Sequence, residues 1–206
     1  MKTRVDGVRF SNLFVHKPGR KYDDAGKEKY AAHGIVDRDA PAVTIVKDAV
    51  IAAAKNTWPN NWEAKLKAIS AAGRVWCLRD GDGKVDKAGN PKPAYVGKMY
   101  VSAKSEAKVG VFGTELDPVT KGAKVLDPSS GKPYSGSYGA MLIEIRASDV
   151  PQPQVYAVLL GVQFAEDGEP LGNETASATD FEAFKQEPAQ MPAERAASGG
   201  GAASLF

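Results

Sequence analysis

The sequence predicts a mainly β protein: a small closed barrel with one helical insertion, long loops and an acidic tail. Three observations carry this. Apolar residues alternate with period two over several short segments, helical spacing is confined to one stretch near residues 41–72, and apolar content thins out beyond residue 165. At 206 residues, with 43% hydrophobic and 25% charged residues, the chain suits one ordinary domain with extras.

Val5 to Phe14 reads as the first strand, with Val8, Phe10 and Leu13-Phe14 as its apolar content. Lys17 to Lys29 reads as a charged loop, and Tyr30 to Val36 as a second strand closed by Asp37-Arg38-Asp39-Ala40-Pro41. Val43, Val46, Val50 and Ile51 recur at helical spacing. Trp62, Leu66 and Ile69 do so again over about Trp62 to Ala72, with Asn60-Asn61 offering N-cap chemistry and Gly73 a stop. After Gly73 the period returns to two. Arg74 to Arg79, Tyr95 to Ala103, Tyr138 to Arg146 and Gln154 to Phe164 read as strands, with Gly113 to Gly136 a long Pro/Gly-rich connection. The runs Met141-Leu142-Ile143 and Val158-Leu159-Leu160 suit a packed barrel wall. Five or so strands with a helical insertion fit an OB-fold best, over residues 1–184, leaving 185–206 as a disordered tail.

Charge is divided along the chain. Residues 1–110 hold 21 Lys/Arg against 12 Asp/Glu, a net of +9, whereas residues 111–206 hold 6 against 13, a net of −7. A basic body attracts polyanions, and an acidic segment on the same chain competes for it. Removing the residues beyond about 185 is therefore expected to tighten binding to a polyanion. No stretch is long and apolar enough for a membrane span, and Met1-Lys2-Thr3-Arg4 does not begin a signal peptide, so a cytoplasmic protein is expected. The single Cys77, between Trp76 and Leu78, suits a buried inert thiol.

The strand Tyr95 to Ala103 is the most informative segment. Alternation sends Met99, Val101 and Ala103 to one face and Lys98, Tyr100, Ser102 and Lys104 to the other. Cations with an aromatic ring between them suit single-stranded nucleic acid, because rings stack on any base and lysines follow the phosphates. A merely solvated strand face would look the same in isolation. Arg74 and Trp76 share a face of the preceding strand, Lys84 leads a basic turn with Lys87 and Lys92, and Lys108, Phe112, Tyr134 and Tyr138 sit near strand ends.

Catalytic chemistry finds little support. Asp80-Gly81-Asp82-Gly83-Lys84-Val85-Asp86 opens like a calcium loop, but Lys84, Val85 and Pro91 stand where a ligand, a glycine and a bidentate glutamate belong. His16 and His33 are far apart without ligand partners at zinc spacing, and no phosphate loop or carboxylate pair stands out. No cofactor and no metal is expected, nor an enzyme.

The ordered run Arg79-Asp80-Gly81-Asp82, Tyr95-x-Gly97, Ser102-Ala103-Lys104-Ser105, Tyr134-Ser135-Gly136-x-Tyr138-Gly139, Asp167-Gly168-Glu169-Pro170-Leu171-Gly172 and Asp180-Phe181 resembles the single-stranded DNA-binding proteins of tailed bacteriophages and prophages. The opening Arg9-Phe10-Ser11-Asn12-Leu13-Phe14 matches that family's first strand, and the resemblance covers about residues 4–184. It implies an OB-fold and a non-enzymatic protein that coats and protects single strands in phage DNA replication, recombination and repair. It places Lys98, Tyr100, Lys104, Tyr134 and Tyr138 in the binding groove. Where such proteins end in a dense acidic tip, this chain has a Gly/Ala/Ser spacer before Leu205-Phe206, an expected contact for a polymerase, helicase or recombinase. A homodimer is compatible with the same reading. The rival class is a phage structural or protein-interaction module; a nuclease is weaker, for want of a metal-binding carboxylate cluster.

Overall fold

The computed structural model describes residues 2–19, 27–86 and 88–171. The chain divides into two units, Met1–Gly172 and Asn173–Phe206, and every described residue belongs to the first. The expected boundary near Phe184, the tail and the Leu205-Phe206 pair lie outside the described residues.

The first strand, β1, runs over Lys2–Gly19, well beyond its expected limits and into the first three residues of what reads as a loop. It continues as one strand through three shifts of register with later strands, one between Phe14 and Gly19 and two earlier, between Val5 and Val8 and between Ser11 and Phe14. Gly7 and Asn12, with φ of 67° and 47°, sit in the two earlier shifts as bulge residues. β2 (Lys29–Asp37) pairs antiparallel with β1. Helices α1 (Pro41–Thr57) and α2 (Trp62–Ala71) follow where the helical spacing puts them. α1 starts on Pro41, and Ala42, Val43, Val46, Ala49, Val50 and Ala54 are buried, with Ile51 half-buried. At α2, Asn61 holds the N-cap position, but its side chain makes no capping bond; only its carbonyl accepts, from Lys65 N. Gly73 ends the helix at φ 65°.

Of the strand expected at Arg74–Arg79, only β3 (Leu78–Asp80) forms, preceded by an isolated bridge of Val75 to Val155. β4 begins later than expected, at Lys98–Ser105, because Pro93–Tyr95 is a turn of 3-10 helix. The residues after β4 hold two strands that the sequence reading missed: β5 (Gly110–Leu116) and β6 (Ala123–Val125). β7 (Tyr138–Ser148) and β8 (Gln154–Glu166) match their predicted centres and run slightly longer.

The barrel is a ring of five strands. β1 pairs with β2 and β7, β2 with β4, and β7 with β8. A parallel pairing of β4 with β8, at Lys104 and Val158, closes it. β3 extends the sheet from β4, and β5 with β6 extends it from the later part of β8. The interior is filled by Phe10, Met141, Ile143, Leu159, Val5, Val101 and Val155, all fully buried. Burying each such side chain contributes about 1.5–3 kcal/mol. α1 lays its buried face against β7 and β1. The α2 end is tied to the β7–β8 turn, where Asp149 accepts hydrogen bonds from Trp58 Nε1 at 2.9 Å and Lys65 Nζ at 2.5 Å. Cys77 is fully buried, and burial pushes its thiol up to about 12. Among the described residues no helix is long and apolar enough to cross a membrane.

Gly139 shows how tightly the wall is built: a Cβ there would run into the Gln163 carbonyl of β8 and the Phe10 ring. Neither backbone nor a core ring can yield cheaply. Gly139→Ala is expected to cost at least about 2 kcal/mol of stability in urea titrations. An unchanged midpoint would mean that β7 can move away from β8.

Candidate nucleic-acid interface

Because side chains directly opposite in a sheet share a face, register alone assembles a row across five strands. Arg79 of β3 lies opposite Tyr100 of β4, Tyr100 opposite Ile35 of β2, Ile35 opposite Arg9 of β1, and Arg9 opposite Tyr138 of β7. At about 4.8 Å per strand the row spans about 19 Å on the outside of the barrel. A second row beside it holds Ser102, His33 and Ser11, and a third holds Lys104, Ala31 and Phe14.

The alternation in β4 is as expected. Val101 and Ala103 are buried and Met99 packs on the core, while Lys98, Tyr100, Ser102 and Lys104 face outward. Tyr100, however, is not an open platform. It is only 4% exposed and forms a satellite cluster with Ile35 and Tyr95, on which Ala94 and Leu171 pack. The loop after β3 folds over the outer face and brings Tyr95 edge-on to Tyr100, with ring centroids 5.1 Å apart. Gly81 allows this, since a side chain there would strike the Tyr95 and Lys98 carbonyls. His33 completes the cluster, its Nδ1 2.9 Å from the Tyr95 hydroxyl. Burial holds Tyr95 up, at about 12.

The surrounding charge is cationic. Lys84 lies over the Tyr100 ring at 5.8 Å, and its pKa is lowered by burial and by the nearby Lys92 and Arg79. His33 is lowered to about 3, by burial first and then by Lys84, Lys104, Arg79 and Lys92. Those four cations therefore converge on one spot of the outer face. Arg79 stacks on Trp76, its guanidinium carbon 4.3 Å from the ring centroid. Trp76 is 39% exposed, the most open aromatic ring beside these cations. Contrary to expectation, Trp76 and Arg74 do not lie on a regular strand: the backbone at Arg74 and Trp76 is held by bonds with Val155.

The other predicted residues divide between this face and the rest of the surface. Lys98 lies at its border, paired with Asp37. Tyr138 ends the central row with Arg9 over its ring at 5.7 Å. Tyr134 sits beside it as a fastening, its hydroxyl donating to the Gly168 carbonyl at 2.8 Å and accepting from Gly168 N at 3.2 Å. Lys108 is exposed in the β4–β5 turn. Phe112 lies elsewhere, folded back over Gly110 and Gly161 on β5 and β8, in a cavity of about 580 Å³ that Leu142, Leu160, Lys2 and Arg4 also line. Lys87 lies outside the described residues.

Arg79, Arg9, Tyr95 and His33 escaped the sequence reading of the site. Arg9 alternates with buried Val8 and Phe10, a signal that it points outward. The calcium-like loop has another use: Arg38 NH2 bridges Asp80 Oδ1 and Asp82 Oδ2, both at 2.6 Å, while Asp82 Oδ1 accepts from Gly97 N. Among the described residues no His/Cys/Asp/Glu group could hold a metal ion.

A five-stranded barrel carrying a basic, aromatic outer face over β1, β2, β3 and β4 belongs to the OB-type nucleic-acid binders. The comparisons narrow the class. The chain belongs to the family of the Enterobacter phage Enc34 ssDNA-binding protein, whose model matches residues 1–191. A relative, the putative protein p50 of Acyrthosiphon pisum secondary endosymbiont phage 1, is 27% identical over 185 residues, covering 88% of this chain and 93% of that one. The fold is similar to that of the bacteriophage Enc34 single-stranded DNA-binding protein in complex with ssDNA, with a TM-score of 0.63 at 21% identity, over 83% of this chain and 89% of that one. A C-terminal truncation of the same phage protein gives 0.60 at 22% identity, over 82% and 88%.

His33 makes the cluster acid-sensitive. The unfolded imidazole titrates near 6.5 and the folded one near 3, so the unfolded chain binds more protons between those values. Stability is then present above about pH 6.5 and lost as pH falls toward about 3. His33→Gln is expected to flatten that slope in urea titrations between about pH 4 and about pH 7. An identical slope in the variant would assign the acid sensitivity to other groups.

Proposed function

We propose that this protein binds single-stranded DNA without strong sequence preference and without chemistry on it, coating and protecting single strands during phage DNA replication, recombination and repair in the host cytoplasm. The observation that carries the reading is the outer face itself: a row of Arg79, Tyr100, Ile35, Arg9 and Tyr138 with Lys84, Lys92 and Lys104 beside it. Phosphates take the cations and release their counterions, and bases take the rings. Membership of an ssDNA-binding protein family supports it.

Fluorescence anisotropy of labelled oligo-dT, titrated at several salt concentrations with duplex as competitor, tests the reading. Salt-sensitive binding that duplex cannot displace is expected, without hydrolysis in magnesium. No binding at low salt would refute it. Trp76→Ala is expected to weaken binding by about 1–3 kcal/mol, the contribution of one stacked base, and Arg79→Ala to lower the salt slope by about one. Phe112→Ala, placed on another part of the barrel, should leave affinity nearly unchanged.

The protein partners are also proposals. Leu205-Phe206 is the expected contact for a polymerase, helicase or recombinase; equal partner binding by a chain lacking these residues would refute that. A second copy is the partner proposed for the β5–β6 hairpin. There Leu116 and Val119 are 70% and 86% exposed, apolar surface of the kind that a second copy covers. Val119→Asp should then shift a dimer to monomer in light scattering, and a full-length monomer at all concentrations would refute the contact.

A further inference from the structure

The central row is not open along its length, because the chain covers it with its own backbone. After β8 the strap Asp167–Leu171 turns back over the outer face and follows the row from Tyr138 toward Tyr100. Gly168 lies against the Tyr138 ring so closely that a Cβ there would meet it at 2.7 Å, and the Tyr134 hydroxyl grips both its N–H and its carbonyl. One residue on, the Glu169 carbonyl accepts a hydrogen bond from Arg9 NH2 at 2.9 Å. At the end, Leu171 N donates to the Ser135 carbonyl at 2.8 Å, and the Leu171 side chain rests on the Ile35, Tyr95 and Tyr100 cluster. Lys132 Nζ holds Asp167 at 2.6 Å.

In order, the strap therefore sets a peptide against a tyrosine ring, an oxygen on a guanidinium and an aliphatic group on a tyrosine pair. A single strand presents the same sequence of chemistry: bases for rings, phosphate oxygens for arginine. We propose that Gly168–Leu171 is a built-in occupant of a single-strand track, in which Arg9 is a phosphate site and the Tyr95–Tyr100 pair a nucleobase site, and that single-stranded DNA gains both by displacing the strap. The proposal rests on the single-stranded DNA reading and deepens it.

The exchange is balanced in kind. At Arg9 a neutral carbonyl gives way to an anionic phosphate oxygen, which makes the stronger, charge-assisted bond. At the tyrosine pair a half-buried leucine gives way to a stacked base. As the strap leaves, its Glu169 carbonyl vacates Arg9, and Lys84, Lys104, Arg79 and Lys92 around His33 already stand on the same face to meet the phosphates that follow. A strap fixed permanently would instead confine DNA to the Trp76, Arg79, Lys84 and Lys104 side of the face.

Hydrogen exchange of the full chain, with and without saturating oligo-dT, decides between the two. Peptides spanning residues 167–171 are expected to exchange faster when DNA is bound, because the Gly168 and Leu171 amides lose their partners. Slower or unchanged exchange there, with DNA bound, would overturn the proposal. Leu171→Ser, which removes only the apolar contact, is expected to tighten oligo-dT binding by about threefold or more by raising the fraction of open protein. Equal or weaker binding by a variant that melts like the parent would also overturn it. Absence of oligo-dT binding by the parent chain, visible in the same titration, would remove the underlying reading and this proposal with it.

Discussion

Closure of the barrel depends on the parallel meeting of β4 and β8 at Lys104 and Val158. Without it the five strands form an open sheet whose inner face has no opposite wall, and Val101, Ala103, Val155 and Leu159 would lose one another as neighbours. With it, the same strands acquire a sealed interior and a convex exterior. β8 serves both purposes in succession: its first half seals against β4 and its second half turns to β5. Everything on the outer face is positioned by that closure, because β4 is held at one edge by β2 and at the other by β3 and β8.

The exterior carries a small core of its own. Ile35, Tyr95 and Tyr100 are as buried as many interior residues, yet they lie on the opposite side of the sheet. Loops normally cannot cover a sheet face without stranding their polar groups. Here the loop after β3 is satisfied locally: Gly81 N donates to the Lys98 carbonyl, Tyr95 N to the Lys92 carbonyl, and Asp80 and Asp82 take Arg38. The ion pairs are exposed and contribute little to global stability, but they fix where the loop lies. A rigid loop over a basic face concentrates cations around His33, which stays neutral because protonation would add a fifth positive charge to a buried spot.

Much of this was legible in the residues. Period-two alternation in β4, β7 and β8 and helical spacing in α1 and α2 reflect burial on one side, which a sequence records directly. The misses share a cause. β5 and β6 carry exposed Leu116 and Val125 and so lack a clean apolar face to read. β1 runs through bulges at Gly7 and Asn12, where the alternation resets. At the site, alternation placed Tyr100 outward correctly but could not foresee its cover, because Tyr95 and Leu171 come from segments whose approach only the tertiary structure decides. Arg79 and Arg9 were hidden for the same reason: membership of the cross-strand row is a matter of register between strands far apart in sequence.

That register has an evolutionary reading. The row Arg79, Tyr100, Ile35, Arg9 and Tyr138 takes one residue from each of five strands, so its half-exposed members Arg79, Arg9 and Tyr138 can drift one substitution at a time without disturbing the barrel, while Ile35 and Tyr100 are held by the small outer core. Length cannot drift in the same way. Gaining or losing one residue inside β4 would exchange its two faces, turning Tyr100 and Lys104 into the sealed interior and Val101 and Ala103 out to solvent. Diversification of this surface is thus channelled into side-chain replacement on the strands and into insertions at the turns, and aligned descendants should differ in what the row presents long before they differ in how many residues separate its members.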